Sequence, residues 1–157
     1  MSFRLTRRAV LVASLGLAGC GFAPALAPGG SVSALRDRVA LDLPDTPDGF
    51  GLRRALEARL GQGAAYVLRV ETSISERPAA INAEGDVTRR TLDGQADWSL
   101  QAGDTTVASG TALRFASYAA TGSTVATEAA ERDARERLTV MLADTIVADL
   151  VLLDLPG

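Results

Sequence analysis

Between Tyr66 and Tyr118 apolar and polar residues alternate with little interruption, broken mainly by short turn-forming groups. A period of two over that length is the pattern of β-strands that bury one face. Tyr66, Leu68, Val70, Thr72 and Ile74 alternate with Arg69, Glu71, Ser73 and Ser75 as far as Arg77-Pro78. Glu84-Gly85-Asp86 marks a turn, after which Leu92, Ala96, Trp98 and Leu100 stand opposite Asp93, Gln95, Asp97 and Ser99. Ala102-Gly103-Asp104 is the next turn. Val107 to Tyr118 reads as a third strand, with Val107, Thr111, Leu113 and Phe115 on one face. Trp98 and Phe115 are both expected in the core. Strands so close in sequence predict an antiparallel meander. Asp93-Gly94 leaves an alternative open, because the same pair of residues also serves as a hairpin turn.

The flanking segments supply the other layer. Arg38 to Leu43 alternates, with Val39, Leu41 and Leu43 on one face, and Pro44 ends that strand. Thr46-Pro47-Asp48 is a helix start, and Leu52, Ala55, Leu56 and Leu60 recur at helical spacing up to Gly61. After Gly122, Thr124 is predicted to cap a long helix reaching Leu153. Its apolar stripe is Ala130, Ala134, Leu138, Met141, Leu142, Ile146, Leu150 and Leu153. The predicted fold class is α+β, in the order β-α-β-β-β-α: two amphipathic helices packed on one face of a mostly antiparallel four-stranded sheet.

The N-terminus has a different character. Met1 to Arg8 carries three arginines, an apolar run from Ala9 to Ala18 is too short to span a bilayer, and Gly19-Cys20 follows. Leu17-Ala18-Gly19-Cys20 resembles the lipobox of bacterial lipoproteins, in which the cysteine thiol is lipidated and becomes the first residue. The expected organisation is a lipoprotein signal peptide over residues 1–19, a lipidated N-terminus and flexible tether over 20–36, and a folded domain over 37–157. Proline, glycine and serine in the tether fit that role. Arg7-Arg8 leaves the choice between Sec and twin-arginine export open. Removing residues 1–19 takes away three arginines and no acid, which moves the formal charge from −3 to −6. A nucleic-acid partner is not expected of so acidic a chain. The apolar run from Val147 to Leu155 is short and contains Asp149 and Asp154, so membrane attachment is expected through the lipid anchor alone.

Enzyme chemistry is hard to assemble from this composition. The chain has no histidine, one cysteine, and arginine as its only basic residue type. Histidine triads, thiolate zinc sites and lysine nucleophiles are therefore excluded. Asp42, Asp45 and Asp48, interleaved with Pro44 and Pro47, do not have the spacing of a calcium loop. Ser117 lacks a basic partner to activate it. No catalytic residue, metal or cofactor is expected.

The element order behind a lipobox, with Cys20-Gly-Phe, a strand running Gly110-Thr-Ala-Leu-Arg-Phe-Ala-Ser-Tyr118 and an alanine- and arginine-rich terminal helix, resembles the lipopolysaccharide-assembly lipoproteins of the LptE family. That resemblance implies two helices on a four-stranded sheet, seated as a plug in the outer-membrane β-barrel LptD. It further implies a role in assembling that barrel and passing lipopolysaccharide to the outer leaflet. Gly21, rather than aspartate, after Cys20 permits outer-membrane sorting, with the domain on the periplasmic side. An auxiliary lipoprotein of an ABC-type lipid or solvent exporter is the competing reading. Some family members carry basic residues on the sheet for lipopolysaccharide contact, and Arg89 and Arg90 are the candidates here, since a guanidinium can grip a phosphate bidentately. Adjacent strand residues point to opposite faces, so at most one of the two points with the apolar face. Arg132, Arg135 and Arg137 each follow an acid by four residues and read as a solvated helix face.

Overall fold

The structure is a computed structural model and describes residues 35–153. Cys20 and the signal-peptide and lipobox assignments lie outside the described residues, as does most of the expected tether.

The element order is β1 (Val39–Asp42), α1 (Pro47–Leu60), β2 (Tyr66–Ile81), β3 (Val87–Ala102), β4 (Thr105–Ala119) and α2 (Thr124–Val151). The four strands lie in the order β1-β2-β3-β4. β1 pairs parallel with β2, from Val39 beside Tyr66 to Asp42 beside Arg69, while β2–β3 and β3–β4 are antiparallel. A parallel pair needs a crossover, which α1 supplies. The predicted α+β class and β-α-β-β-β-α order are those of the structure.

Both hairpins turn on glycine. Ala102 pairs with Thr105, leaving Gly103-Asp104 as a two-residue loop with Gly103 at φ 57°, a conformation costly for other residues. Gly85 at φ 94° plays the same part between β2 and β3, where the Asn82 side chain accepts from the Asp86 amide at 2.7 Å.

Asp93-Gly94 is not a turn. Both residues lie within β3, and Gly94 faces the helix layer, where a Cβ would come within 3.0–3.2 Å of Leu138. Glycine here admits close approach of the helix. β2 does not stop at Pro78 but continues to Ile81 through a register irregularity around Pro78 and Ala80. Proline is tolerated because β1 covers only the first four residues of β2, so Pro78 lies on a free edge.

Thr46 caps α1 by accepting from the Gly49 amide at 3.1 Å, with Pro47 in the first turn. α2 is capped by Ser123, which accepts from the Ala126 amide at 3.3 Å; Thr124, the expected cap, is the first helical residue. Both helices cover one sheet face. Leu52, Ala55, Leu56 and Leu60 of α1, Leu68 and Val70 of β2, Leu92, Ala96, Trp98 and Leu100 of β3, and Ala134, Leu138, Leu142, Ile146 and Leu150 of α2 form a single core. That core begins as early as Leu35, two residues before Asp37.

One face assignment is corrected. In β4 the covered residues are Ala108, Gly110, Ala112, Ala116 and Tyr118, whereas Leu113 and Phe115 stand 61% and 67% exposed on the opposite face. Trp98 is buried as expected; Phe115 is not. The reason is steric. α2 lies close over β4, and Trp98 occupies the space above Gly110, where a Cβ would stand 2.8 Å from the indole. Only small side chains fit beneath the helix there.

Candidate functional site

The strand period sends Arg89 and Arg90 to opposite faces of β3. Arg90 lies on the helix-covered side. Its guanidinium donates to Glu76 at 2.5 Å, and that hydrogen bond and charge hold it above its ordinary pKa. Tyr118, the β4 neighbour of Arg90, has its hydroxyl pKa pushed up by burial first and by Glu76 second. Glu76, Arg90 and Tyr118, with Glu131 of α2 acting on both Arg90 and Tyr118 through its charge, therefore make a structural polar cluster beneath the start of α2.

Arg89 is different. It is exposed and lies on the open sheet face beside the β2–β3 hairpin, and its guanidinium forms no ion pair or hydrogen bond among the described residues. The other arginines of that face are engaged: Arg69 with Asp42 at 2.8 Å and Arg77 with Asp93 at 2.6 Å. The structure thus does not bring Arg89 and Arg90 together as one fork. It leaves the Arg89 guanidinium uncommitted on the open face, among the described residues.

Apart from the exposed Leu113 and Phe115, much of that face is polar and internally bonded. Asp97 accepts from Thr111 at 2.6 Å and from Gln95 at 2.8 Å, and those two bonds hold its carboxyl below the usual aspartate range. Thr91 and Ser117 share a hydrogen bond at 2.8 Å. Neither serine nor threonine meets a general base, and among the described residues no three metal-ligating side chains cluster. Asp42 and Asp48 instead pair with Arg69 and Arg135.

On α2, Arg135 pairs with Glu131 at 2.9 Å, as the four-residue spacing predicts, and also reaches Asp48 of α1 at 3.3 Å. Arg137 pairs with Asp133. Arg132 forms no ion pair among the described residues, so the expected Glu128 pair is not made. Sequence reasoning missed Glu76 as the partner of Arg90. The two are diagonal neighbours across β2 and β3, a relation visible only once the register is known.

Residues 36–150 match the LptE family, described as lipopolysaccharide-assembly. The chain belongs to the LptE family. The family is a non-enzymatic one, and the chain is in general terms a lipopolysaccharide-assembly lipoprotein. Among solved structures, this LptE-family domain is similar to a lipoprotein from Caulobacter crescentus CB15, at 25% identity and a TM-score of 0.62, covering 77% of this chain and 92% of that one. It is also similar to rare lipoprotein B from Shewanella oneidensis, at 14% identity and TM-score 0.57, covering 72% and 92%. A minor lipoprotein from Acinetobacter baumannii shows 23% identity and TM-score 0.53, covering 73% and 90%. No curated protein matches the sequence. Among the described residues no helix is long and apolar enough to cross a membrane.

Proposed function

We propose that this chain is anchored by lipid on Cys20 to the periplasmic side of the outer membrane, where it assists assembly of the barrel LptD and delivery of lipopolysaccharide to the cell surface. The observation that carries this reading is the family match over residues 36–150, in a chain whose Leu17-Ala18-Gly19-Cys20 resembles a lipobox. Affinity purification of the tagged chain from detergent-solubilised membranes tests it. LptD is the expected companion, and recovery of ABC-transporter subunits in its place would favour an export auxiliary instead.

Within this reading Arg89 is the residue that meets a lipid A phosphate. It is exposed and uncommitted, and a charge-assisted bond to phosphate is stronger than one to a neutral acceptor. Arg90 already has Glu76 and is assigned no more than a supporting place. Arg89→Glu is expected to weaken binding of the purified chain to lipopolysaccharide by roughly three- to ten-fold at low salt, and by less at moderate salt. Arg90→Glu should instead lower thermal stability, because it sets two carboxylates against each other beside Tyr118. Equal lipopolysaccharide affinity for wild type and Arg89→Glu would return Arg89 to an ordinary surface residue.

A further inference from the structure

β4 is the last strand of the sheet, so one row of its backbone N–H and C=O groups has no neighbouring strand among the described residues. Free edges are normally guarded by proline, bulges or several charges, because an unguarded edge is a template for another strand. On the other side of the sheet the outer strand β1 is only four residues long, and β2, free beyond Arg69, has those guards in Glu71, Glu76, Arg77, Pro78 and the irregularity around Ala80. β4 has one charged residue, Arg114, and no proline over Thr105–Ala119. Its single register shift lies near its start, opposite Leu100 and Gln101.

The two sides of this edge are chemically distinct. Between β4 and α2 runs a groove of about 270 Å³ lined by Arg114, Met141, Asp144, Thr145, Ala148 and Asp149. Asp144 is held by Arg59. Arg114 donates to the carbonyl of its neighbour Leu113 and meets no carboxylate, and the Asp149 side chain has no partner among the described residues. On the opposite face Leu113 and Phe115 are exposed. Arg114 is the β4 partner of Gly94, over which Leu138 stands, so among the described residues the unpaired cation lies toward the Met141 end of the groove and the unpaired anion, Asp149, toward the other. Met141 and Asp149, eight residues apart on α2, are separated by about 12 Å at 1.5 Å per residue, or about four residues of extended strand. An even spacing keeps two side chains on the same face of a strand.

We propose that β4 is a docking edge for an extended segment of a partner polypeptide. The segment pairs antiparallel as a fifth strand, its carboxylate meeting Arg114, a cation about four residues later meeting Asp149, and its alternate apolar side chains covering Leu113 and Phe115. The short link between β4 and α2 makes the helix run back along the strand, so a segment antiparallel to β4 runs with α2, and the acid precedes the base. Main-chain bonds would supply affinity and the alternate side chains specificity, the usual division in strand addition. This inference stands on the edge and its groove and does not require the lipopolysaccharide reading.

The test uses the full chain in detergent micelles and a synthetic probe, Thr-Val-Glu-Val-Thr-Val-Arg-Val-Thr, which places glutamate and arginine four residues apart on one face and valines on the other. Binding should slow hydrogen exchange in Thr105–Ala119 while leaving Val70–Ile81 unchanged. Arg114→Glu, with an unchanged thermal midpoint, should weaken binding about ten-fold, and a probe with arginine in place of its glutamate should recover the loss. Three results would each overturn the proposal: no binding at millimolar probe, equal affinity for a probe N-methylated at alternate backbone amides, or protection on β2 in place of β4. Self-association of the chain through β4 that excludes the probe would overturn it too.

Discussion

Leu142→Ala is expected to destabilise the domain by about 2 to 5 kcal/mol, as is usual where a fully buried leucine loses its side chain and leaves a cavity. Leu142 lies within α2 on the stripe that also buries Leu138, Ile146 and Leu150, and it has no solvent exposure. α2 packs on β4, β3 and α1, so a cavity there loosens contacts to three elements at once. Arg135→Ala is the contrast. That side chain is about one-third exposed and bridges Glu131 and Asp48, and partly exposed pairs of this kind are worth roughly 1 kcal/mol or less. Urea titration of the two variants measures both. Equal, small losses would mean that α2 does not pack as described.

Cys20→Ser is expected to abolish lipid attachment and release the chain from membranes. Cys20 is the sole thiol and follows the apolar segment directly. Each acyl methylene buried in a bilayer contributes about 0.8 kcal/mol, so losing the acyl chains removes many kcal/mol of membrane affinity that no described helix can replace. Incorporation of labelled palmitate reads the first effect and membrane fractionation the second. Label retained in Cys20→Ser, or a mature N-terminus well beyond residue 20, would contradict the anchor.

Periodicity was a sound guide where a strand or helix has one unambiguous apolar stripe. α1 buries Leu52, Ala55, Leu56 and Leu60, and β3 buries Leu92, Ala96, Trp98 and Leu100, as the spacing predicts. β4 is the instructive exception. Its larger apolar residues, Val107, Leu113 and Phe115, mark the open face, while alanines and Gly110 mark the covered one. Alternation locates two faces without saying which is buried, and the size of the facing layer decides. The signal was present in the run of small residues at every second position from Ala108 to Ala112, opposite the large Trp98. Gly94 was ambiguous for a related reason. A glycine after aspartate suits both a turn and a strand onto which a helix must close, and only Leu138 standing over it selects the strand.

The arginine pair shows the same limit at the candidate site. Their placement on opposite faces follows from strand geometry alone, but the neutralisation of Arg90 depends on Glu76, fourteen residues earlier and brought close by the β2–β3 register. The unguarded β4 edge likewise appears only with the strand order, since the same residues in a central strand would pair on both sides.

Depletion of the chain in living cells, followed by non-denaturing electrophoresis of LptD and quantification of surface lipopolysaccharide, tests the assembly function most directly. Correctly assembled barrel and surface lipopolysaccharide should both fall as the chain is lost. Normal levels of both after complete depletion would contradict that function.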